Sequence, residues 1–383
     1  MQTPPFPAYQ APERPRYNIK LGKMTGRFGA NVQFEVNDNI NLSERSPAAD
    51  FFIGPYVSAG FLLPLTKNHV IQFDLGGGYR YYVRNGSASS LNIAPNTHLD
   101  YTVYIDDVRV TFHDRFSIQV DPVTRGEIAG QAQVQSFRRF VNAVGFTADW
   151  QATRRWGFFA GYDYSIDRSL NETFQQIDRD AHTASAGINY TLSSRVKTGV
   201  LGSYTTESYN QRIQNNGQTF TVGPSLSVKV SPFLTFGGSA GYTVSTYDRS
   251  GTVQDDSSYR GMTYQTTVEH QLNRNTSHSL RFSQSAGLGF GSNFTDTWSV
   301  QYGVKTVLTR SINLNGIFAY ENLRASGRGG EQSGRYLIYL GTGYQLTRLW
   351  SMGLSYSFSL RDSDARDHSY LQNRLTLDLT RRF

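Results

Sequence analysis

The sequence predicts an all-β fold: a transmembrane, up-and-down antiparallel β-barrel of about 18 strands. Three observations lead to this prediction. Apolar side chains alternate with small or polar ones along most of the chain, as they do on strands that have one apolar face. Short and long connections between these segments also alternate, and the last alternating segment ends on the final residue, Phe383.

Residues 350–360 show the alternation most clearly. Large apolar residues occupy every second position from Trp350 to Leu360, and only serine and glycine lie between them. Comparable segments recur from 28–36 near the start to 375–379 near the end, and many of their polar faces carry charges. A water-soluble β-sandwich would have to bury one of these two faces, and neither is suited to it.

The connections predict where the strands end. Short turns are predicted near 65–68, 113–115, 153–155, 193–195, 231–232, 273–275, 309–311 and 347–348. Longer polar loops are predicted near 43–50, 84–96, 121–138, 168–180, 207–217, 248–258, 291–293, 324–333 and 362–367. Eight turns that interleave with nine loops place both chain ends on the turn side. Even strand number, short periplasmic turns and longer extracellular loops are typical of bacterial outer-membrane barrels, which leave no sheet edge in lipid.

Two positions interrupt the alternation. The apolar parity changes across Asp106-Asp107, which predicts a β-bulge because one extra residue restores the phase. Pro224 lies inside a predicted strand, where its missing N–H should remove a ladder hydrogen bond or mark another bulge. Tryptophan favours membrane interfaces, and all four lie near predicted strand ends: Trp150, Trp156, Trp298 and Trp350.

Composition excludes several other classes of protein. The 383 residues contain no cysteine, so disulfides and thiolate metal sites are excluded. No apolar run approaches the roughly 18 residues of a membrane helix. The net charge of +7 is scattered along the chain, so no nucleic-acid face is expected. The seven histidines show no metal-ligand spacing, and neither a metal nor another cofactor is expected.

The first residues differ from the rest in composition. Five of the twelve prolines fall within residues 1–15. Residues 1–26 are therefore predicted to form an extended, polyproline-like periplasmic arm, and residues 27–383 to form the barrel. The start has no charged segment followed by an apolar core, so it is not expected to be a signal peptide.

The C-terminal segment resembles the end signature of bacterial outer-membrane β-barrel porins, with Leu375, Leu377, Leu379 and the terminal Phe383 on one parity. The resemblance implies that the outer-membrane assembly machinery reads this segment, with Phe383 as the assembly signal. Arg381 stands where that family has an apolar or aromatic residue, so recognition would depend mainly on Phe383. The Pro-rich arm and the barrel size are similar to those of β-barrel porins associated with exopolysaccharide export loci. The resemblance also implies a location in the bacterial outer membrane, in contact with its lipid and lipopolysaccharide.

An 18-stranded barrel can enclose an aqueous lumen, whose inward side chains would determine what passes. Consecutive strands are neighbours, so the charges from each half of the chain would form one wall of the lumen. Two oppositely charged walls would set up a transverse field across the lumen. The alternative is that the charges only pair with neighbouring charges and hold inner loops. By parity, the first half contributes a mainly acidic wall: Glu35, Asp74, Asp100, Asp106, Asp107, Asp149 and Asp163. The second half contributes a mainly basic wall: Lys197, Lys229, Arg281, Lys305, Arg335, Arg361 and Arg374.

Several aromatic residues also face inward by parity: Tyr56, Tyr82, Tyr104, Phe159 and Tyr339. Rings in a polar lumen can stack on sugars, which would suit a saccharide path. The alternative is that they pack against inserted loops.

No convincing catalytic site is predicted, and the protein is not expected to be an enzyme. His270 falls on the outward face, where a membrane phospholipase would carry its base, but no serine is placed beside it by the sequence. Gly287, Gly289 and Gly291 form a G-x-G-x-G string that ends a strand and opens no helix, which predicts a turn rather than a nucleotide-binding loop.

These features predict an outer-membrane channel for passive or weakly selective passage of polar solutes, with saccharides as one class. The alternative is a barrel that serves as exit port or structural anchor of a multi-protein envelope export system, docked to a periplasmic partner through residues 1–26. An outer-membrane hydrolase and a soluble propeller or β-solenoid are further alternatives. No oligomeric state follows from the sequence.

Overall fold

The computed structural model describes residues 19–119 and 138–383, which form 20 β-strands in one sheet and two short 3-10 helices, Gly86–Ala88 and Glu172–Ile177. No helix within these two ranges is long and apolar enough to cross a membrane. The strands are β1 Ile19–Leu21, β2 Met24–Asn37, β3 Asp50–Pro64, β4 His69–Tyr82, β5 Ser90–Ile93, β6 His98–Ile105, β7 Val108–Gln119, β8 Arg139–Trp150, β9 Trp156–Ser169, β10 Arg179–Thr191, β11 Val196–Tyr209, β12 Gly217–Lys229, β13 Leu234–Tyr247, β14 Tyr259–Gln271, β15 Thr276–Leu288, β16 Phe294–Val307, β17 Ile312–Ala325, β18 Gln332–Gln345, β19 Trp350–Ser363 and β20 Tyr370–Arg382.

The sheet closes into an antiparallel barrel of 18 strand positions. Consecutive strands other than β5 and β6 pair with each other, and β20 pairs with β2 from Gly29↔Arg382 to Asn37↔Arg374. β5 and β6 share one position, because both pair with β4 on one side and with β7 on the other. The predicted fold class is therefore confirmed, and the propeller and β-solenoid alternatives are wrong.

The alternation of connections is also confirmed. Turns of two to five residues occupy 65–68, 106–107, 151–155, 192–195, 230–233, 272–275, 308–311 and 346–349 at the periplasmic end. The longer extracellular connections include 38–49, 170–178, 210–216, 248–258, 326–331 and 364–369. The loop predicted at 121–138 lies almost entirely outside the described residues.

Two predictions near residue 106 are wrong. Asp106 and Asp107 form a two-residue hairpin turn, since Ile105 pairs with Val108 and Asp106 has a φ of 48°. There is no bulge at this point, and the turn predicted at 113–115 lies inside β7. The residues that flank a two-residue turn face each other on the same side of the sheet, so the turn changes the parity in the way that a bulge would.

Pro224 interrupts the ladder without a bulge, which confirms the first of its two predicted outcomes. β12 and β13 pair at Val222↔Tyr242 and again at Ser225↔Ser239 in the same register. The strands approach closely at this gap, where a Cβ on Gly223 would lie 1.8 Å from the Ala240 carbonyl oxygen. Glycine is therefore required beside this proline.

The start of the sheet overlaps the predicted arm. β1 pairs with the first residues of β2, from Ile19↔Gly26 to Leu21↔Met24. The predicted boundary between residues 26 and 27 thus falls inside β2, and residues 1–18 of the predicted arm lie outside the described residues. Because β20 pairs with β2 only from Gly29 onward, β1 extends the wall past the end of β20 at the periplasmic rim.

Candidate functional site: the barrel lumen

The register of the sheet identifies the lumen face. Directly opposed residues of neighbouring strands share a face, and one such row runs from Arg361 through Arg335 and Glu321 to Ser299. Alternate positions carry exposed apolar residues such as Tyr336. The same rows place on the lumen face Glu35, Asp74, Asp100, Asp149, Asp163, Lys197, Lys229, Arg281, Lys305 and Arg374. Asp106 and Asp107 are not on this wall, because they form the β6–β7 turn.

The acidic residues of the first wall lie close to polar side chains that parity alone does not reveal as their partners. Asp74 forms a salt bridge with Arg27. The Nε2 atom of His98 lies 3.5 Å from Asp74 Oδ2 and 3.7 Å from Asp100 Oδ2. Glu35 is buried and accepts a hydrogen bond from the hydroxyl of Thr376. The charge of Asp74 is therefore balanced locally by Arg27.

Two further carboxylates of the first wall are paired in the same way. Arg109 Nη2 lies 2.8 Å from Asp149 Oδ2, and His113 Nε2 lies 2.6 Å from Asp163 Oδ1. The side chain of His113 is almost fully buried. These pairs support the alternative interpretation of the first wall, in which neighbouring charges hold each other.

A buried arginine ties the extracellular connection after β9 to the wall. The side chain of Arg139 is inaccessible to solvent, and its Nε donates to Asp167 Oδ1 at 2.6 Å. Its Nη atoms donate to Asp178 and to the carbonyl oxygens of Phe174 and Ile177, each at 3.1 Å. The sequence analysis missed Arg139; its position at the start of an alternating segment, on the polar parity, was the available signal.

The extracellular half of the second wall is also paired and buried. Arg335 donates from Nε to Glu321 Oε2 at 2.9 Å, and Arg361 forms a salt bridge with Glu331. The side chains of Arg335 and Arg361 are only 7% and 3% exposed. The charge of these two predicted residues is neutralised beneath the loops.

The periplasmic half of the second wall is different. Lys197, Lys229, Arg281 and Lys305 are exposed, and none of them forms a salt bridge with any residue in 19–119 or 138–383. Glu269, which is exposed on the same face of β14, offsets part of this charge. The lumen wall therefore carries an excess of accessible positive charge on β11, β12, β15 and β16.

The five predicted lumen aromatics all lie on the inward face and are partly buried. Tyr56 extends over Gly76, where a Cβ would lie 1.9 Å from its hydroxyl oxygen. Tyr339 extends over Gly341 in the same way, with a corresponding distance of 2.9 Å. Tyr82 packs on Phe52 with a centroid distance of 5.4 Å. Glycine on the neighbouring strand thus lets Tyr56 lie against the wall, and glycine two residues further along the same strand does so for Tyr339. Tyr104 and Phe159 lie in one row, joined through Arg109 and Asp149.

The extracellular connections between β11 and β18 are linked through Asp255. One carboxylate oxygen of Asp255 accepts hydrogen bonds from the Asn293 backbone N–H at 2.8 Å and from the Ser326 hydroxyl at 2.5 Å. Asn215 donates to Asn293 Oδ1 at 2.9 Å. Three connections therefore meet at one buried carboxylate, and the 210–216 connection is joined to them through Asn215. Sequence analysis missed this residue, although Asp255 followed by Ser257 is a pattern in which a side chain caps the backbone two residues on.

The electrostatics of Asp255 favour its charged form. Burial alone would raise the pKa of its carboxyl group, but hydrogen bonds from Asn293, Ser326 and Ser257 outweigh burial and hold the pKa below its ordinary value. The loop linkage is therefore made by an ionised carboxylate at neutral pH.

Another loop folds inward. Leu42, in the connection after β2, is 2% exposed and packs with Tyr370 and Leu337. Tyr370 pairs with Arg361 on the lumen face. The 38–49 connection therefore lines the inside of β18–β20 and narrows the extracellular half of the lumen.

The outward histidine, His270, contacts another histidine. Its Nδ1 atom lies 2.8 Å from His278 Nε2 on the neighbouring strand. No group of three or more potential metal ligands occurs in the described parts of the chain. The base of a hydrolase would form a hydrogen bond with a serine hydroxyl, whereas His270 contacts the imidazole of His278.

Comparison with known proteins agrees with this architecture. Residues 18–383 match the family described as "Putative beta-barrel porin 2". No curated protein matches the chain. Solved structures that it resembles include OccAB3 of Acinetobacter baumannii, with a TM-score of 0.55, 11% identity, and coverage of 95% of this chain and 100% of that one.

Two Pseudomonas aeruginosa structures are similar to the same degree. OpdK, solved with vanillate, has a TM-score of 0.52 and 11% identity over 94% of this chain and 99% of that one. OccK2 (OpdF), solved in complex with glucuronate, has a TM-score of 0.54 and 10% identity over 95% of this chain and 99% of that one. At such identities the likeness shows the fold alone. The match over nearly the whole sequence, together with the closed 18-strand barrel, shows that the chain belongs to the Putative beta-barrel porin 2 family, as a porin of the bacterial outer membrane.

Proposed function

We propose that this porin is a passive channel that favours polar solutes with negative charge, including small carboxylates and acidic saccharides, and that it has no catalytic activity. The observation that carries this proposal is the excess of exposed cations on the periplasmic half of the lumen that form no salt bridge within the described residues. Accessible charges on a pore wall raise the local concentration of counter-ions. Charges that are buried in salt bridges, such as Arg361, contribute much less to this field.

Two features of similar proteins support the solute class. OpdK was solved with vanillate and OccK2 with glucuronate, and both molecules carry a carboxylate group. In this chain, Tyr56 and Tyr339 lie against the lumen wall, where rings could contact the apolar face of a sugar. Acidic sugars combine both kinds of contact.

Planar-bilayer recordings in a salt gradient test the proposed selectivity. We expect the wild-type channel to prefer chloride over potassium, and a Lys197→Gln, Lys229→Gln, Arg281→Gln, Lys305→Gln variant to lose this preference. A matched variant that exchanges lysine and arginine at the same four positions keeps the charge and should keep the preference. An unchanged ion preference in the glutamine variant would overturn the proposal.

Liposome swelling tests the solute class separately. We expect glucuronate to enter proteoliposomes with the wild-type channel faster than proteoliposomes with the glutamine variant. Neutral glucose should enter both at similar rates. Equal glucuronate rates in the two proteins would contradict the proposed preference.

The role as exit port or anchor of an export system remains the second candidate. One observation favours it: β1 extends the wall at the periplasmic rim, so the chain that precedes Ile19 is attached where an envelope partner would dock. Affinity purification from the outer membrane, with and without residues 1–18, tests it. A co-purifying envelope protein that requires these residues would support this role, and the same associated proteins from both forms would contradict it.

A further inference from the structure

The periplasmic turns repeat a sequence pattern that solute passage does not require. Six of them begin with an exposed leucine or valine: Leu65, Leu192, Val230, Leu272, Leu308 and Leu346. In every case the next residue is serine, threonine or asparagine. In four of the six, a lysine or arginine follows directly: Lys67, Arg274, Arg310 and Arg348.

Six of the eight turns carry one or two basic residues, one has no charged residue and one is acidic. The only acidic residues in them are Asp106 and Asp107, which share one turn. The extracellular connections, by contrast, carry both signs. The turn cations are exposed, and none forms a salt bridge within 19–119 or 138–383: Lys67, Arg154, Arg155, Arg195, Arg274, Arg310 and Arg348.

The apolar residue of each turn continues the lipid face of the barrel. Leu308, for example, follows the outward-facing Tyr302 and Val304 at the same parity. The hydroxyl of Thr309 accepts hydrogen bonds from the backbone N–H groups of Ser311 and Ile312, at 3.2 and 3.1 Å. This compact turn places the apolar side chain of Leu308 on the lipid face, and the guanidinium group of Arg310 follows two residues later. Such a pair matches the boundary between acyl chains and phosphate groups.

One of these positions includes a cleft. A space of about 510 Å³ lies between the 272–275 turn and the end of β16, lined by residues 273–276 and 306–308. Its wall combines Arg274 and polar amides with the apolar Leu308, and the hydroxyl groups of Thr276 and Thr306 lie 2.8 Å apart within it. Phosphate oxygens are good acceptors for arginine and amide N–H groups.

We propose that the periplasmic turns form a ring that binds the headgroups of anionic phospholipids in the inner leaflet of the outer membrane, with the cleft at Arg274 as one defined site. Charge complementarity favours an anionic partner, and the exposed leucines favour a lipid over a soluble polyanion, which would leave them in water. Each basic residue near an anionic membrane surface increases the binding constant for that surface roughly fivefold.

The test compares two variants with the same change in net charge. The turn variant replaces Arg154, Arg195, Arg274, Arg310 and Arg348 with glutamine. The loop variant replaces five exposed arginines of the extracellular connections with glutamine: Arg45, Arg212, Arg249, Arg328 and Arg366. Each full-length protein is refolded into phosphatidylcholine vesicles with or without phosphatidylglycerol, and its thermal unfolding midpoint is read from the shift between boiled and unboiled gel samples.

We expect phosphatidylglycerol to raise the midpoint of the wild type and of the loop variant, and this rise to shrink at high salt and to be lost in the turn variant. An equal rise in the turn variant would overturn the proposal. Soluble glycerol phosphate, added in detergent, should not reproduce the rise; if it does, the turns recognise free phosphate and lipid binding is refuted.

Discussion

At the extracellular end of the barrel, Arg139 and Arg361 are buried beneath loops and contact carboxylates, whereas at the periplasmic end Lys305 is exposed and forms no salt bridge within the described residues. All three residues lie on the lumen face of the barrel strands. The extracellular connections are long enough to fold back over the wall, and the periplasmic turns are not. On the second wall, cover by the extracellular connections therefore separates inward charges that stabilise the structure from those that can act on solutes.

The largest expected effect comes from removing a buried charge. Arg139→Ala would leave the carboxylates of Asp167 and Asp178 without the guanidinium group that they contact, which costs about 3–5 kcal/mol. We expect the free energy of unfolding, measured by denaturant titration in vesicles, to fall by this amount.

Lys305→Ala is the matched control at the other end, because Lys305 is exposed and forms no salt bridge within residues 19–119 and 138–383. We expect it to change the free energy of unfolding by less than about 0.5 kcal/mol. A similar loss in both variants would contradict the contrast between the two ends.

An intermediate effect is expected at the junction of the extracellular loops. Asp255→Asn removes the charge that accepts hydrogen bonds from Asn293 and Ser326, at a cost of about 1–3 kcal/mol. We expect trypsin to cleave at Arg249 and Arg328 severalfold faster, because the connections separate more often.

The neighbouring residue provides the control for this experiment. Asp256 is 73% exposed and forms a salt bridge with the exposed Arg249, and such surface pairs contribute little. Asp256→Asn should therefore leave the cleavage rate at Arg328 unchanged. If both variants accelerate cleavage equally, Asp255 does not link the loops.

The smallest expected effect is a pH dependence of the free energy of unfolding that is confined to acidic pH. The pKa of Asp255 is lowered in the folded protein from its ordinary value of 3.8, so its contribution to stability is complete above that value and is lost as the pH falls through the folded pKa. We expect the difference in unfolding free energy between wild type and Asp255→Asn to be constant from neutral pH to about pH 4 and to shrink below it. A difference that declines between neutral pH and about pH 5 would contradict the lowered pKa.

Parity was sufficient to predict most of the barrel from the sequence. Side chains on a strand alternate strictly, so residues such as Asp163 and Arg281 could be placed on the inner face without any knowledge of contacts. The same rule failed at Asp106-Asp107, because a two-residue turn and a bulge change the parity alike. Only pairing, which is not local information, separates these two structures.

The electrostatic balance of the lumen could not be predicted in this way. Whether Arg361 faces water or Glu331 depends on how the 326–331 connection folds, and that connection has no periodic pattern. The Asp74–Arg27 pair is a further example, since the two residues are separated by one intervening strand and meet only over Gly60, where a Cβ would lie 2.3 Å from Asp74 Oδ1. Sequence showed which charges enter the lumen, and tertiary contacts determine which of them remain accessible.

The pairing of β2 with β20 also constrains the order in which the barrel can form. The backbone N–H of Phe383 donates to the carbonyl oxygen of Phe28 at 3.1 Å, so the last residue of the chain completes the seam with one of the first strands. The hairpins between them are local and can form early, whereas this seam joins segments almost a full chain length apart. A chain that lacks β20 would hold every other strand and still leave two unpaired edges in the bilayer, so closure of the barrel depends on this single strand pair.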